Sequence, residues 1–393
     1  MNKKLMLGVA CMTLSGLTHA QSSVTLYGVI DEGLTFNTNM NGSHSYAMQS
    51  GVLSGSRWGL KGVEDLGGGL KAIFTLENGF DPSTGKLGQG GLEFGRQAFV
   101  GLSSSFGTVT LGRQYDMNVD FVAPLEAASQ WSGNIGAHPG DLDNLNNAYR
   151  TNNAIKFRSV SYGGFSFGGL YSLGGVAGDA TRNQIWSLGA GYANGPLILG
   201  VGYINARNPN VSFFGNSTSG TASATVANSV YPVFSGYLSA HTYQTISAGA
   251  AYNIGALTVG GVYSNIAFKG LGDTSSGPNP SGYSGNATFN SAELNVKYQL
   301  TPALLIGAAY SYTAGNSVTS ATGRNEGATY NQGEIAVDYF LSKRTDVYAI
   351  GVYQKASGTD SRNRDAVASI NNQSSPSSND HQAVIRVGLR HKF

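Results

Sequence analysis

Cysteine is nearly absent from this sequence, and the one present, Cys11, lies among the first twenty residues. Lys3 and Lys4, the small and apolar stretch from Leu5 to Leu17, and the triplet Thr18-His19-Ala20 read as a secretory signal peptide over residues 1–20, cut before Gln21. Gly8-Val9-Ala10-Cys11 also fits a lipoprotein cleavage box. It leaves only six residues between Lys4 and Cys11, short of the usual ~7–15-residue apolar region. The exported chain, residues 21–393, is therefore expected to hold no disulfide, no thiol nucleophile and no thiolate metal site. Charge is scarce too, at 12% of all residues. The leader carries two of the 24 basic residues and no acid, so the remainder balances the 22 acids and is formally neutral. That balance lends no support to a nucleic-acid partner. Beyond the leader no apolar run reaches 18 residues, so no transmembrane helix is expected.

What is abundant is glycine, 56 residues, together with 21 Tyr and 17 Phe. Glycine weakens helices and aromatics favour strands, so an exported chain of this composition reads as all-β. From Val24 onward, alternating segments of about ten residues recur. Their connections come in two sizes. Short ones carry turn chemistry, as at Gly163-Gly164, Asn194-Gly195, Asn253-Ile254-Gly255 and Leu300-Thr301-Pro302. Long ones, rich in Gly, Ser, Asn and Thr, cover 37–55, 81–92, 116–152, 174–183, 207–240, 269–287, 314–328 and 355–380. Sixteen strands result, with seven turns and eight loops in strict alternation. An up-and-down meander then has all its turns at one end and all its loops at the other. The loops at 207–240 and 269–287 are expected to be mobile and open to external partners.

The closing stretch "AVIRVGLRHKF" puts Phe393, Leu389, Val387, Ile385 and Ala383 on one face and Lys392, Arg390, Gly388 and Arg386 on the other. In "SAELNVKYQ", Ala292, Leu294, Val296 and Tyr298 oppose Ser291, Glu293, Asn295, Lys297 and Gln299; in "QGEIAVDY", Ile335, Val337 and Tyr339 oppose Gln332, Glu334 and Asp338. "ALLIGAAYSY" is apolar on both parities, and its faces stay unassigned. A soluble sandwich also alternates, but sixteen strands in unbroken hairpin order fit a single closed sheet with lipid outside and water inside. Tyr162, Tyr192, Tyr252, Tyr298 and Tyr339 stand close to short turns, where an interfacial girdle belongs. The expectation is a 16-stranded antiparallel transmembrane β-barrel with short periplasmic turns and long external loops.

Motifs for chemistry dissolve on inspection. "GFSFG", Gly164 to Gly168, matches a nucleophile elbow, which needs a strand, a sharp turn and a helix; here it opens a strand. "DLDN", Asp141 to Asn144, lacks the Gly and Glu of a calcium loop. His44, His138, His241, His381 and His391 show no metal-ligand spacing. No enzyme, cofactor or metal is expected. The basic residues say more. Arg57 and Lys61 oppose Trp58 and Leu60, Arg96 shares a face with Ala98, and Lys156 and Arg158 oppose Ile155 and Phe157, with Arg150 in the same parity. A cation on the lipid side of a barrel costs about 2–4 kcal/mol near the midplane, so these should face the lumen, either pairing with nearby carboxylates or lining the channel. Arg113 shares parity with Val109 and Leu111 and requires a bulge or a strand end. The longest loop, 116–152, carries Asp120, Glu126, Asp141, Asp143 and Trp131; folded inward, it would narrow the channel.

"SSVTLYGVIDEGL", "SRWGLKGVEDLGGGLKAIFTLENGF", "GRQAFVGLSSSFGTVTLGRQYD" and the closing "RVGLRHKF" resemble the Gram-negative general porins, especially their neisserial and β-proteobacterial branch. The resemblance implies a homotrimer of outer-membrane barrels, each with its own pore. It implies that the third loop folds inside and that a basic wall faces acids on that loop. By motif the wall falls on Arg57, Arg96 and Arg150, joined by Lys61 and Arg158, and the loop acids on Asp120 and Glu126. Val29 stands where enterobacterial relatives often carry a lysine. Phe393 is the signal read by the outer-membrane assembly machinery. The expected function is passive diffusion of ions and small hydrophilic solutes, weakly anion-selective because rings of Arg and Lys favour anions. A substrate-specific channel and a secreted β-rich adhesin are the alternatives.

Overall fold

Strands with one apolar and one polar face bury neither unless they close on themselves. In the computed structural model, which describes residues 22–217 and 223–393, sixteen of them pair antiparallel in chain order and close into a barrel. The predicted leader, 1–20, lies outside the described residues. The strands are β1 (Ser23–Met40), β2 (Ser43–Ser50 and Arg57–Gly67), β3 (Leu70–Gly79), β4 (Gln97–Ser104), β5 (Gly107–Gln114), β6 (Thr151–Ser159), β7 (Phe165–Ser172) and β8 (Ile185–Asn194). They continue as β9 (Leu197–Arg207), β10 (Thr242–Ile254), β11 (Leu257–Leu271), β12 (Gly285–Thr301), β13 (Leu304–Gly315), β14 (Ala328–Phe340), β15 (Thr345–Gly358) and β16 (His381–Lys392). β16 pairs back on β1 from Val29↔Lys392 to Asn37↔Val384. The Phe393 carbonyl accepts from the Gly28 N–H at 3.0 Å and its N–H donates to the Gly28 carbonyl at 3.1 Å. The ladder thus runs to the last residue of the chain.

Faces follow parity. Leu34, Val387, Leu294 and Ile335 point outward, exposed by 66%, 58%, 73% and 68%, whereas Arg386, Glu293, Gln332 and Glu334 point inward and are buried. Outward apolar residues in this density make sense only against lipid. At the turn end, register pairs Tyr252 with Leu197, Tyr298 with Leu257 and Tyr339 with Leu304, a belt of amphipathic rings at one interface.

Three loops differ from expectation. The stretch 37–55 is mostly strand: β1 continues to Met40, turns at Asn41 and Gly42 with φ of 51° and 97°, and returns along β2. The Asn-Gly pair is a two-residue hairpin signal. Residues 51–56 then interrupt β2 and bend inward, burying Val52 and Leu53. The stretches 207–240 and 269–287 are packed where described. Phe213, Phe214, Phe234, Tyr237, Phe268 and Tyr283 form one buried aromatic cluster with Tyr243 of β10 and Phe289 of β12.

The third loop leaves β5 at Tyr115 and lines the inner wall. A short helix, α1 (Met117–Phe121), capped by Asp116, rests on β8 and β9. Ala123–Leu125 crosses β10 and β11, and Ala128–Ser132 reaches β14. Asn134 N–H then donates to the Val52 carbonyl at 2.7 Å, inside the interruption of β2. Glycine makes room for this path. A Cβ on Gly200 would lie 2.0 Å from the Phe121 carbonyl oxygen, one on Gly202 2.3 Å from Asn118 Oδ1, and one on Gly307 2.4 Å from the Trp131 ring. Gly307 also explains why "ALLIGAAYSY" alternates poorly: Leu305 and Ala309 face the lumen but pack against Trp131.

Gly307→Val should therefore lower stability by about 1–3 kcal/mol and reduce single-channel conductance, because Trp131 has to move toward open water. Gly333→Val faces lipid with nothing within 4 Å and should leave both unchanged; equal effects of the two in thermal unfolding and bilayer recordings would refute this packing.

Candidate functional site: the lumenal constriction

With the third loop held against β8 to β14, the open passage is pushed toward β2, β3 and the loop-side ends of β4 and β6. A cavity of about 530 Å³ there has Arg57, Arg96 and Arg150 on one side and Val119, Ala123, Pro124, Ala128 and Ser129 of the loop on the other. A second cavity of about 430 Å³ shares Ser54, Arg57, Arg96 and Asn147 with the first and adds Lys61, Lys392 and Phe393. The passage is basic on one side, and the loop brings one acid to it, Asp141, which is 4% exposed and accepts from the Asn146 and Ala148 N–H groups.

Each arginine is held by neighbours. Arg96 Nε donates to Glu77 Oε1 at 2.8 Å and Nη2 to the Tyr115 hydroxyl at 3.3 Å. Arg57 Nε lies 3.9 Å from Glu77 Oε2, and its Nη1 donates to the Gly55 carbonyl. Tyr27 and Tyr115 hydroxyls also donate to Glu77, at 2.9 and 3.1 Å. Arg150 donates to the Ala148 carbonyl and lies 5.8 Å over the Tyr115 ring. Burial, then the neighbouring Arg96, pushes its pKa down to about 10, which leaves it charged at neutral pH. Lys61 stands 4.2 Å over the Tyr27 ring. Arg158 is apart from this group: it lies at the turn end of β6, 5.1 Å over Phe121, in a separate cavity with Lys156 and Asp120.

Neither expected loop acid faces the arginines. Asp120 pairs with Lys156 at 2.7 Å on the β6 wall, because α1 turns it toward that strand. Glu126 is wholly buried behind the loop, beside His138, Asp143 and Glu293 of β12. Burial raises its carboxyl well above the usual range, against the pull of His138. Asp141 of the loop borders the passage but is held by the loop's own backbone, and the acid that faces the arginines is Glu77, which was not among the expected acids. Its signal was available: Glu77 shares parity with Thr75 against Phe74 and Leu76, so the cost of a mid-barrel charge in lipid already turns it inward. Arg113 meets both conditions set for it. It lies one residue before the end of β5, and two residues of β6, Asn152 and Asn153, stand opposite it in a register shift. Its guanidinium donates to the Gly95 carbonyl and to Asn152 Oδ1.

A family model described as Gram-negative porin matches residues 7–359. An outer membrane porin protein of Bordetella pertussis is 31% identical over 385 residues, covering 90% of this chain and 94% of its own. Outer membrane porin protein 32 of Delftia acidovorans is 30% identical over 282 residues, covering 68% of this chain and 70% of its own. The solved anion-selective porin from Comamonas acidovorans has a TM-score of 0.71 at 23% identity, over 95% of this chain and 100% of that one. The trimer form of OmpT from Vibrio cholerae has a TM-score of 0.63 at 16% identity, over 95% and 99%. At such identities the two structures speak for the fold alone.

The loop carries its own pH dependence. Burial pushes Asp116 up to about 6 and, with Asp143 adding to it, Asp141 up to about 8, both from 3.8. A raised carboxyl means that the folded loop holds protons that the unfolded chain releases. The stabilisation is complete below pH 4 and is lost as pH climbs through 6 and then 8. Amide exchange of residues 116–149, corrected for the intrinsic rate, should accelerate over that window. Asp141→Asn should flatten the upper part, and an unaltered profile would sink the assignment.

Proposed function

The chain belongs to the Gram-negative porin family, and on that premise we propose how its passage selects among solutes. The protein is a general diffusion porin of the outer membrane, a channel rather than an enzyme, passing ions and small hydrophilic solutes through water. The constriction is the cavity between the third loop and the wall of β2 to β6, and its basic wall is Arg57, Lys61, Arg96 and Arg150, continued by Lys392. The channel prefers anions. The observation that carries this is the imbalance of the passage: Arg57, Arg96 and Arg150 line it together, opposite a loop whose one lining acid, Asp141, is 4% exposed, accepts from the Asn146 and Ala148 N–H groups and is pushed up to about 8 by burial. Glu77 offsets about one of these charges and orients Arg96 and Arg57. An anion in the passage therefore meets fixed positive charge already in place on arrival, while a cation finds on the loop only Asp141, whose oxygens are taken by backbone N–H groups. Arg158, on the turn side, extends the basic track toward that mouth. Residues 1–20 act as the leader, residues 21–393 form the barrel, and Phe393 serves as the assembly signal; the Gly28 contacts of its backbone support a role in closure.

The working assembly is a homotrimer, a reading supported by the trimer form in which Vibrio cholerae OmpT was solved. Cross-linking of detergent-extracted protein should give a three-chain band, and a purely monomeric product would overturn it.

Zero-current potential across a KCl gradient tests the selectivity. Wild type should give an anion-directed potential that is larger near 0.1 M than near 1 M salt, where the Debye length shrinks from ~10 Å to ~3 Å. Replacing Arg57, Arg96 and Arg150 together by Gln should move it toward cations, and Glu77→Gln should move it further toward anions. An unchanged potential in the triple variant would remove these residues from the constriction.

A further inference from the structure

Behind the third loop, away from the arginines, lies a polar cluster that conduction does not use. The His138 ring is completely buried, and three carboxylates surround it. Asp143 Oδ2 is 2.7 Å from Nδ1, Glu126 Oε1 is 4.0 Å from Nδ1, and Glu293 Oε2, on β12, is 3.5 Å from Nε2. All of these side chains are shut off from water, and among the described residues none is paired with a lysine or an arginine. One imidazole does not balance three carboxylates, even as imidazolium. Buried charge without a partner is strongly unfavourable, so the cluster must take up either protons or a cation.

The hydrogen bonds show where. Glu293 Oε1 accepts from the Ala127 N–H at 2.8 Å and from Asn295 Nδ2 at 2.6 Å, so its other oxygen is the free one. Glu126 Oε2 is buried without a hydrogen-bond partner, and Glu293 Oε2 and His138 Nε2 have only each other, at 3.5 Å. One ligand atom from each of these three residues lies within 4.8 Å of the others, a spacing that small side-chain rotations close onto a metal with bonds of ~2.0–2.2 Å. The Asp143 carboxylate at Nδ1 completes a recurrent pattern. With an ion bound, it would hold the proton on Nδ1, leave Nε2 to the ion and raise the basicity of the imidazole as a ligand.

We propose that Glu126, His138 and Glu293 form a binding site for a first-row divalent cation, Zn2+ above all, which fastens the third loop to β12, with Asp143 positioning the imidazole. One nitrogen and two carboxylates suit Zn2+, whereas Ca2+ and Mg2+ call for about six oxygens. Closed off from water, the ion enters while the loop folds onto the wall. The site would set the width of the passage by pinning its neutral side.

The test is refolding of residues 21–393 in detergent with Zn2+ or with EDTA, followed by gel filtration and metal analysis. Channel formation in bilayers is measured on every sample, so that a misfolded preparation is not mistaken for a metal-free one. The zinc-refolded protein should retain about one Zn2+ per chain, lost in Glu293→Gln and His138→Gln. Asp143→Asn should still bind, about 10–100-fold more weakly. EDTA-refolded protein should conduct with more current noise, as the loop loosens. Should the variants not fold, Co2+ refolding of the wild-type chain still decides, because a His-carboxylate site gives visible d–d absorption. Conducting protein that holds no more zinc than Glu293→Gln, with no cobalt spectrum, would overturn the proposal and leave protons to balance the cluster.

Discussion

A backbone amide within the hydrocarbon of a bilayer has no water to turn to, and every N–H and C=O crossing it must find its partner inside the protein. The rest of this structure depends on that constraint. It forbids a sheet edge in lipid, so β16 must return to β1 and the ladder must run as far as Phe393. It also fixes register, since a slip of one residue would turn Arg386 and Glu293 to lipid and Leu389 and Leu294 to water. Closure leaves an inner surface, and that surface is the only place where charge is tolerated.

The inner surface is then divided unequally. Glycines on β8, β9, β10 and β13 remove side chains where the third loop passes, so the loop lies close to that wall and reaches across to the interruption in β2. What remains of the lumen belongs to the opposite wall, where the arginines are. The anion preference we propose comes from packing as much as from charge. The loop does contain acids, but packing turns Glu126 and Asp143 away from water and Asp120 into an ion pair, and the passage sees Val119, Ala123, Pro124, Ala128 and Ser129 with only the edge of a nearly buried Asp141. Glu77, fixed by two tyrosine hydroxyls, is the counter-charge that keeps Arg57 and Arg96 in place.

The same packing explains where reading residues in order fell short. "SAELNVKYQ" alternates cleanly because Leu294 and Val296 meet lipid while Glu293 and Asn295 meet polar loop atoms. "ALLIGAAYSY" does not, because Trp131 gives β13 an apolar surface on the inside as well. The aromatic residues of 207–240 look like those of any polar loop until Phe213, Phe214 and Phe234 are seen stacked on Tyr243 and Phe268 of the barrel. His138 carries no ligand spacing along the chain, and its neighbours Glu126 and Glu293 are brought to it by the loop and by β12.

Period-two alternation, glycine and aromatic content, turn chemistry and the closing amphipathic strand determined by themselves that this chain is an all-β barrel with lipid outside. They also placed Arg57, Lys61, Arg96 and Arg150 on the water side, because parity along a strand and the cost of charge in lipid are local properties. The tertiary structure alone decided what faces those cations. A 36-residue excursion between β5 and β6 has no period to betray its direction, and whether Glu126 meets an arginine or a histidine depends on contacts with strands more than a hundred residues away.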